Sequence, residues 1–84
     1  MRLLYFSWIR ERVGMAEEAL DLPADVTTIG ELLEWQKSRG EEFTAAFEHD
    51  KVVRVALDQE HCDDRSTVIG TAREIAFFPP MTGG

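Results

Sequence analysis

Apolar residues crowd the start of the chain, where Leu3, Leu4, Tyr5, Phe6 and Trp8 follow Arg2 almost without interruption. A short apolar run bounded by charge reads as a buried strand, central in its sheet. Arg10, Glu11 and Arg12 end the run and Gly14 tolerates positive φ, so a turn or loop is expected there. Glu18-Ala19-Leu20-Asp21-Leu22 alternates as a second strand does, and Pro23, lacking an amide to donate to a ladder, closes it. The two segments predict a hairpin with a longish connection.

Thr28 opens a helix. Its hydroxyl is placed to accept from the Glu31 amide while the Glu31 carboxylate reaches back to the Thr28 amide, a capping box. Ile29, Leu32, Leu33 and Trp35 share one side, and Gly40 suits a C′ position, which predicts a helix from about Ile29 to Arg39. Gly30 weakens it by about 1 kcal/mol relative to Ala. Phe43, Ala46 and Phe47 lie at helical spacing in a second, shorter helix. The β-branched run Val52 to Leu57 predicts a strand, Gln59 to Asp64 is read as polar and irregular, and Thr67-Val68-Ile69 as a small strand or turn. Glu74 to Phe78 forms a last strand. This order, β, β, α, short helix, β, irregular segment, β, implies an α+β domain in which one main helix covers one face of a mixed sheet. It matches a β-grasp.

After Phe78 come Pro79, Pro80, Met81, Thr82, Gly83 and Gly84. Two prolines fix φ and remove two amide donors, so the chain is expected to leave the domain extended. Residues 1–78 are therefore read as the domain and 79–84 as a tail with a reach of roughly 20 Å at about 3.3 Å per residue. Gly-Gly carries no Cβ, so its backbone fits a channel too narrow for other residues and leaves the last carboxylate sterically bare. A carboxylate with a pKa of about 3.5 is an anion and a poor electrophile near neutral pH. Adenylation by ATP in a second protein would activate it for attack by sulfur or nitrogen. A bare Gly-Gly is also a common frayed terminus, and the apolar, proline-stiffened run before it is what favours the chemical reading.

With 84 residues the chain has room for one core. Hydrophobic residues at 44% and charged residues at 30% suit a folded globule. Nine Lys and Arg against sixteen Asp and Glu give a net charge of −7, which argues against nucleic acid and for a basic protein partner. One cysteine, Cys62, permits no internal disulfide, and neither a signal peptide nor a spanning apolar run is read, so a cytoplasmic protein that associates with no membrane is expected. No bound cofactor is expected.

Two stretches carry a resemblance. Ala76-Phe77-Phe78-Pro79-Pro80-Met81-Thr82-Gly83-Gly84 resembles A-F-[FI]-P-P-[VM]-[ST]-G-G, the closing motif of the small, sulfur-carrying subunits of molybdopterin synthase, a ubiquitin-like β-grasp family. Phe6-Ser7-Trp8-Ile9-Arg10-Glu11-Arg12-Val13-Gly14 is similar to that family's F-A-x-x-R-E-x-x-G, and Val55-Ala56-Leu57-Asp58-Gln59 to its V-A-V-N-Q. The resemblance implies that a ubiquitin-activating-type enzyme adenylates Gly84 with ATP and that a sulfur donor protein converts it to a thiocarboxylate. The tail, with Gly83 threading the channel, then enters the large subunit of a heterotetrameric synthase, where the sulfur attacks cyclic pyranopterin monophosphate. Phe6, Phe78, Pro79, Pro80, Met81 and Thr82 would bind the partner. Two departures stand out: Asp58 replaces a common Asn, a swap of two amide donors for a charge that bears on any side-chain to backbone bond there, and Thr71-Ala72-Arg73-Glu74 replaces a D-G-D-E turn.

Periodicity leaves open which of Phe6, Trp8, Phe77 and Phe78 face outward, and a hydrophobic docking patch is expected among them. His61 and Cys62 are adjacent, but neighbours on an extended segment point to opposite faces, so they are not read as a catalytic or metal pair. His49-Asp50 and Asp63-Asp64 are read as solvated turns, and Arg10 and Glu11 as surface charges. The alternatives are a related carrier for thiamine, tRNA thiolation or cysteine synthesis, a protein modifier, or an acidic noncovalent binding module.

Overall fold

A computed structural model describes residues 1–80. The chain forms β1 (Arg2–Tyr5), α1 (Ser7–Val13), β2 (Glu17–Ala19), α2 (Ile29–Lys37), α3 (Glu41–Phe47), a 3-10 turn (Asp50–Val52), β3 (Arg54–Leu57), β4 (Glu60–Cys62) and β5 (Glu74–Phe78). The five strands make one mixed sheet in the order β2-β1-β5-β3-β4, with β1 and β5 parallel and the other pairs antiparallel. This is the β-grasp arrangement expected from the order of elements. Among the described residues no helix is long and apolar enough to cross a membrane.

The apolar run at the start divides differently from the expected strand. β1 stops at Tyr5, and the segment read as a turn is α1. Ile9 and Val13, four residues apart, bury one side of that helix, while Arg10, Glu11 and Arg12 stand on its exposed side. Gly14 at φ 90 closes α1 in the left-handed region, its amide donating to the Arg10 carbonyl at 2.8 Å. β2 is shorter than expected and ends at Ala19.

The capping box at α2 is present: the Thr28 hydroxyl accepts from the Glu31 amide at 3.2 Å, and Glu31 accepts from the Thr28 amide at 3.0 Å. The helix ends at Lys37, short of Arg39, and Gly40 at φ 145 opens α3 instead of closing α2. Gly30 has a packing reason. Its amide donates to the Arg65 carbonyl at 2.8 Å, and a Cβ there would meet that oxygen at 3.3 Å. The segment read as irregular holds β4, joined to β3 through Asp58 and Gln59 at φ 48 and 72, the two left-handed positions of a tight hairpin turn. Thr67-Val68-Ile69 contributes one bridge, Thr28 to Val68.

Leu3, Tyr5, Val55, Ile75 and Phe77 point from the sheet into a core closed by Ile9, Ile29, Leu32, Leu33, Phe43 and Phe47. One polar cluster enters it. The Tyr5 hydroxyl donates to Glu18 Oε1 at 2.7 Å and accepts from Gln36 Nε2 at 3.0 Å, and Arg39 donates to Glu18 Oε2 at 3.0 Å and to Gln36 Oε1 at 2.9 Å. Gln36, fully buried, is thereby satisfied through both ends of its amide. Arg39 also lies over the ring of Phe43 at 4.0 Å. The cluster ties β1 and β2 to the end of α2.

The Arg39 guanidinium and then the Tyr5 hydroxyl hold the Glu18 carboxyl below its ordinary value, against the opposing effect of burial. A depressed carboxylate stabilises the fold above its unfolded pKa of about 4.3, and that stability disappears as pH falls through the lower folded value. Glu18→Gln is therefore expected to cost about 1–3 kcal/mol at neutral pH, because charge-assisted bonds are lost and Arg39 is left without its carboxylate. Urea midpoints at neutral pH and near pH 3 check this: the gap between variant and wild type should narrow in acid. An unchanged gap would remove Glu18 from the acid response.

Candidate functional site

The outward side of the sheet is set by strand parity. On β5, Ile75 and Phe77 are buried, so Ala76 and Phe78 face the other way. Ala56 on β3 pairs with Ala76 on one side and with His61 of β4 on the other, giving a floor of two small residues. Phe78, Phe6 and His61 stand around that floor, and Pro79 and Pro80 continue its edge. The result is an apolar, shallow face at the point where the chain leaves β5.

Phe6 faces outward because of the junction that sequence reading missed. Its amide donates to the Phe77 carbonyl at 3.1 Å, extending the β1–β5 pairing by one bond. Ser7 then takes φ 56, a left-handed conformation uncommon for a residue with a side chain, and the chain turns at once into α1. This reversal leaves Phe6 47% exposed, an unusual state for a phenylalanine. Of the four aromatics whose direction was open, Phe6 and Phe78 lie on the outward face and Phe77 is core. Trp8 packs against the core edge with the Arg12 guanidinium 4.7 Å above its ring.

Phe6, Phe78, Pro79 and Pro80, all expected to bind a partner, are thus brought together on one face. Met81, Thr82, Gly83 and Gly84 lie outside the described residues. His61 and Gln59 also line the face and were not singled out as partner-binding. For His61 the signal was available, since the parity that sends Ala56 outward sends its cross-strand partner outward too. A side-chain to backbone bond is present at Asp58. Its Oδ1 accepts from the amides of Arg73 and Glu74 at 2.9 and 3.0 Å, a role needing only an acceptor oxygen, which Asp supplies as well as Asn. The turn lacking D-G-D-E is therefore still tied to the β3–β4 hairpin.

The face offers two alanines, two phenylalanines and two prolines, which can bury apolar area against another surface, together with the polar side chains of Ser7, Gln59 and His61. The carboxylate beside it, Asp63, is exposed.

The chain is similar over its whole length to molybdopterin synthase sulfur carrier subunits. It is 34% identical to that of Haemophilus influenzae, covering 100% of this chain and 99% of the relative, and 30% identical to that of Escherichia coli with the same coverage. The protein of that name from Caenorhabditis elegans is 33% identical, with 100% and 96% covered. Among solved structures, SAMP1 from Haloferax volcanii shares the fold with a TM-score of 0.70 at 22% identity, over 100% of this chain and 98% of that one. The ThiS family model matches residues 3–84, and the chain belongs to that family.

Proposed function

We propose that the chain carries sulfur for molybdopterin synthase, with the outward face as its docking surface and residues 79–84 as the segment that delivers the carboxyl end. The observation that carries this reading is the position of Phe6, Phe78, Pro79 and Pro80 on one apolar face where β5 ends. A partner covering that face would receive the following residues in its own active site. The names of the relatives support the same role.

The chemistry begins with attack of the Gly84 carboxylate on the α-phosphorus of ATP in an adenylating partner, releasing pyrophosphate. The terminal sulfur of a donor protein's persulfide then attacks the acyl carbon and expels AMP, and a thiol cleaves the resulting acyl disulfide, leaving the donor as a disulfide and the carrier as a thiocarboxylate. Near neutral pH that sulfur is ionised, and in the large subunit it attacks cyclic pyranopterin monophosphate. Two carriers in succession supply the two sulfurs of the dithiolene. This chain's own contribution is presentation: its domain docks, and the Gly-Gly backbone, without a Cβ, fits a narrow channel and helps keep water out. Acids, bases and anion-binding groups belong to the partners.

Intact-mass spectrometry of the chain co-expressed with its adenylating enzyme and sulfur donor tests the proposal. The expected result is an oxygen-for-sulfur mass shift located at Gly84, with transfer of that sulfur to the pterin precursor when the large subunit is added. Absence of the shift would sink the reading, and lysine-linked conjugates in its place would mark a protein modifier.

A further inference from the structure

His61 puts an ionisable ring into a largely apolar face whose other lining residues are uncharged. Its cross-strand neighbour is Ala56, and its imidazole lies 5.7 Å from the ring of Phe78. The charged groups around it come from two places. Asp63, just beyond β4, has Oδ1 3.0 Å from His61 Nε2, and Arg54 of β3 approaches the same oxygen at 3.9 Å. From β5 and the β1–α1 junction the lining residues are Ala76, Phe78, Phe6 and Ser7, all uncharged. Glu60 and Cys62, the neighbours of His61 on β4, belong to the opposite side of the strand.

We propose that His61 makes docking at this face proton-dependent: the partner is bound with the imidazole neutral and is released as the ring takes up a proton. This rests on the reading that the large subunit docks here. In the free chain the His61 side chain is 52% exposed, so water solvates either form. A partner covering Phe6 and Phe78 removes that water, which penalises the charged ring far more than the neutral one. Asp63 offsets only part of the penalty, being 71% exposed, screened by solvent and shared with Arg54. The chain's net charge of −7 fits a partner with a basic rim, and such a rim repels an imidazolium as well.

The experiment is the dissociation constant for the large subunit, measured by calorimetry across the range in which histidines change charge. Uptake of one proton limits the effect to tenfold per pH unit, and from about pH 7.5 to about pH 5.5 the wild-type chain is expected to lose about tenfold in affinity. His61→Leu and His61→Gln should give flat profiles, with the leucine variant about tenfold tighter than wild type at about pH 5.5. Parallel profiles for the three proteins, or wild-type affinity that rises toward acid, would overturn the proposal and leave the docking reading standing. Absence of binding by all three at every pH would overturn the docking reading and this inference with it.

Discussion

Removing Gly84 is expected to lower sulfur delivery to the pterin precursor by at least about hundredfold while leaving the thermal midpoint unchanged. With the domain anchored by its outward face as proposed, the position of the reacting carbon would be set by the number of residues beyond Phe78. Shortening the chain by one residue withdraws that carbon by about 3.3–3.6 Å. A misplacement of only about 1 Å can cost on the order of hundredfold in rate, so an error several times larger should leave little transfer. The buried residues that hold the domain together run from Leu3 to Phe77, which is why stability should not follow. Sulfur transfer in a reconstituted synthase, measured beside a melting curve, separates the two effects. Transfer within a few-fold of wild type would mean that the carboxyl end is not the chemical handle.

Four of the five strands and the main helix were legible because their signals are local and mutually consistent. Thr28 and Glu31 announce the start of α2, and the β-branched run at Val53 and Val55 announces β3. Helix α1 was hidden by three charged residues in a row, read as the end of a strand although they form one exposed side of a helix. Ile9, Val13 and Gly14 held the correct signal, namely two apolar residues four apart followed by a left-handed stop. Strand β4 was hidden because Glu60-His61-Cys62 has little β propensity of its own. It is a strand because the hairpin turn at Asp58 and Gln59 folds it onto β3, and such a turn usually advertises itself with Asn-Gly. The outward face needed both misread elements. Without α1 there is no reason for Phe6 to be expelled from the sheet's line, and without β4 there is no third strand to bring His61 beside Phe78.

Phe77→Ala should be severely destabilising, costing about 3–5 kcal/mol against a total that, at roughly 0.05–0.15 kcal/mol per residue, is about 4–13 kcal/mol for a chain of this length. Phe77 is fully buried and stands where three elements meet. Its ring stacks on Tyr5 with centroids 5.5 Å apart and meets Phe47 edge-on at 5.1 Å. Truncation leaves a void lined by two other rings that are themselves fixed, Tyr5 by the Glu18 and Gln36 bonds and Phe47 by α3, so the site has little freedom to collapse. Phe77→Leu keeps much of the volume and should cost markedly less. The consequence for function follows from strand parity, since Phe77 anchors β5 from inside while Phe78 of the same strand lies on the proposed docking face. Loosening the inner contact should therefore weaken partner binding even though Phe77 touches no partner. Urea unfolding and partner affinity measured on the same preparations check this coupling. A loss of stability below about 1 kcal/mol would show that the ring cluster does not carry the core.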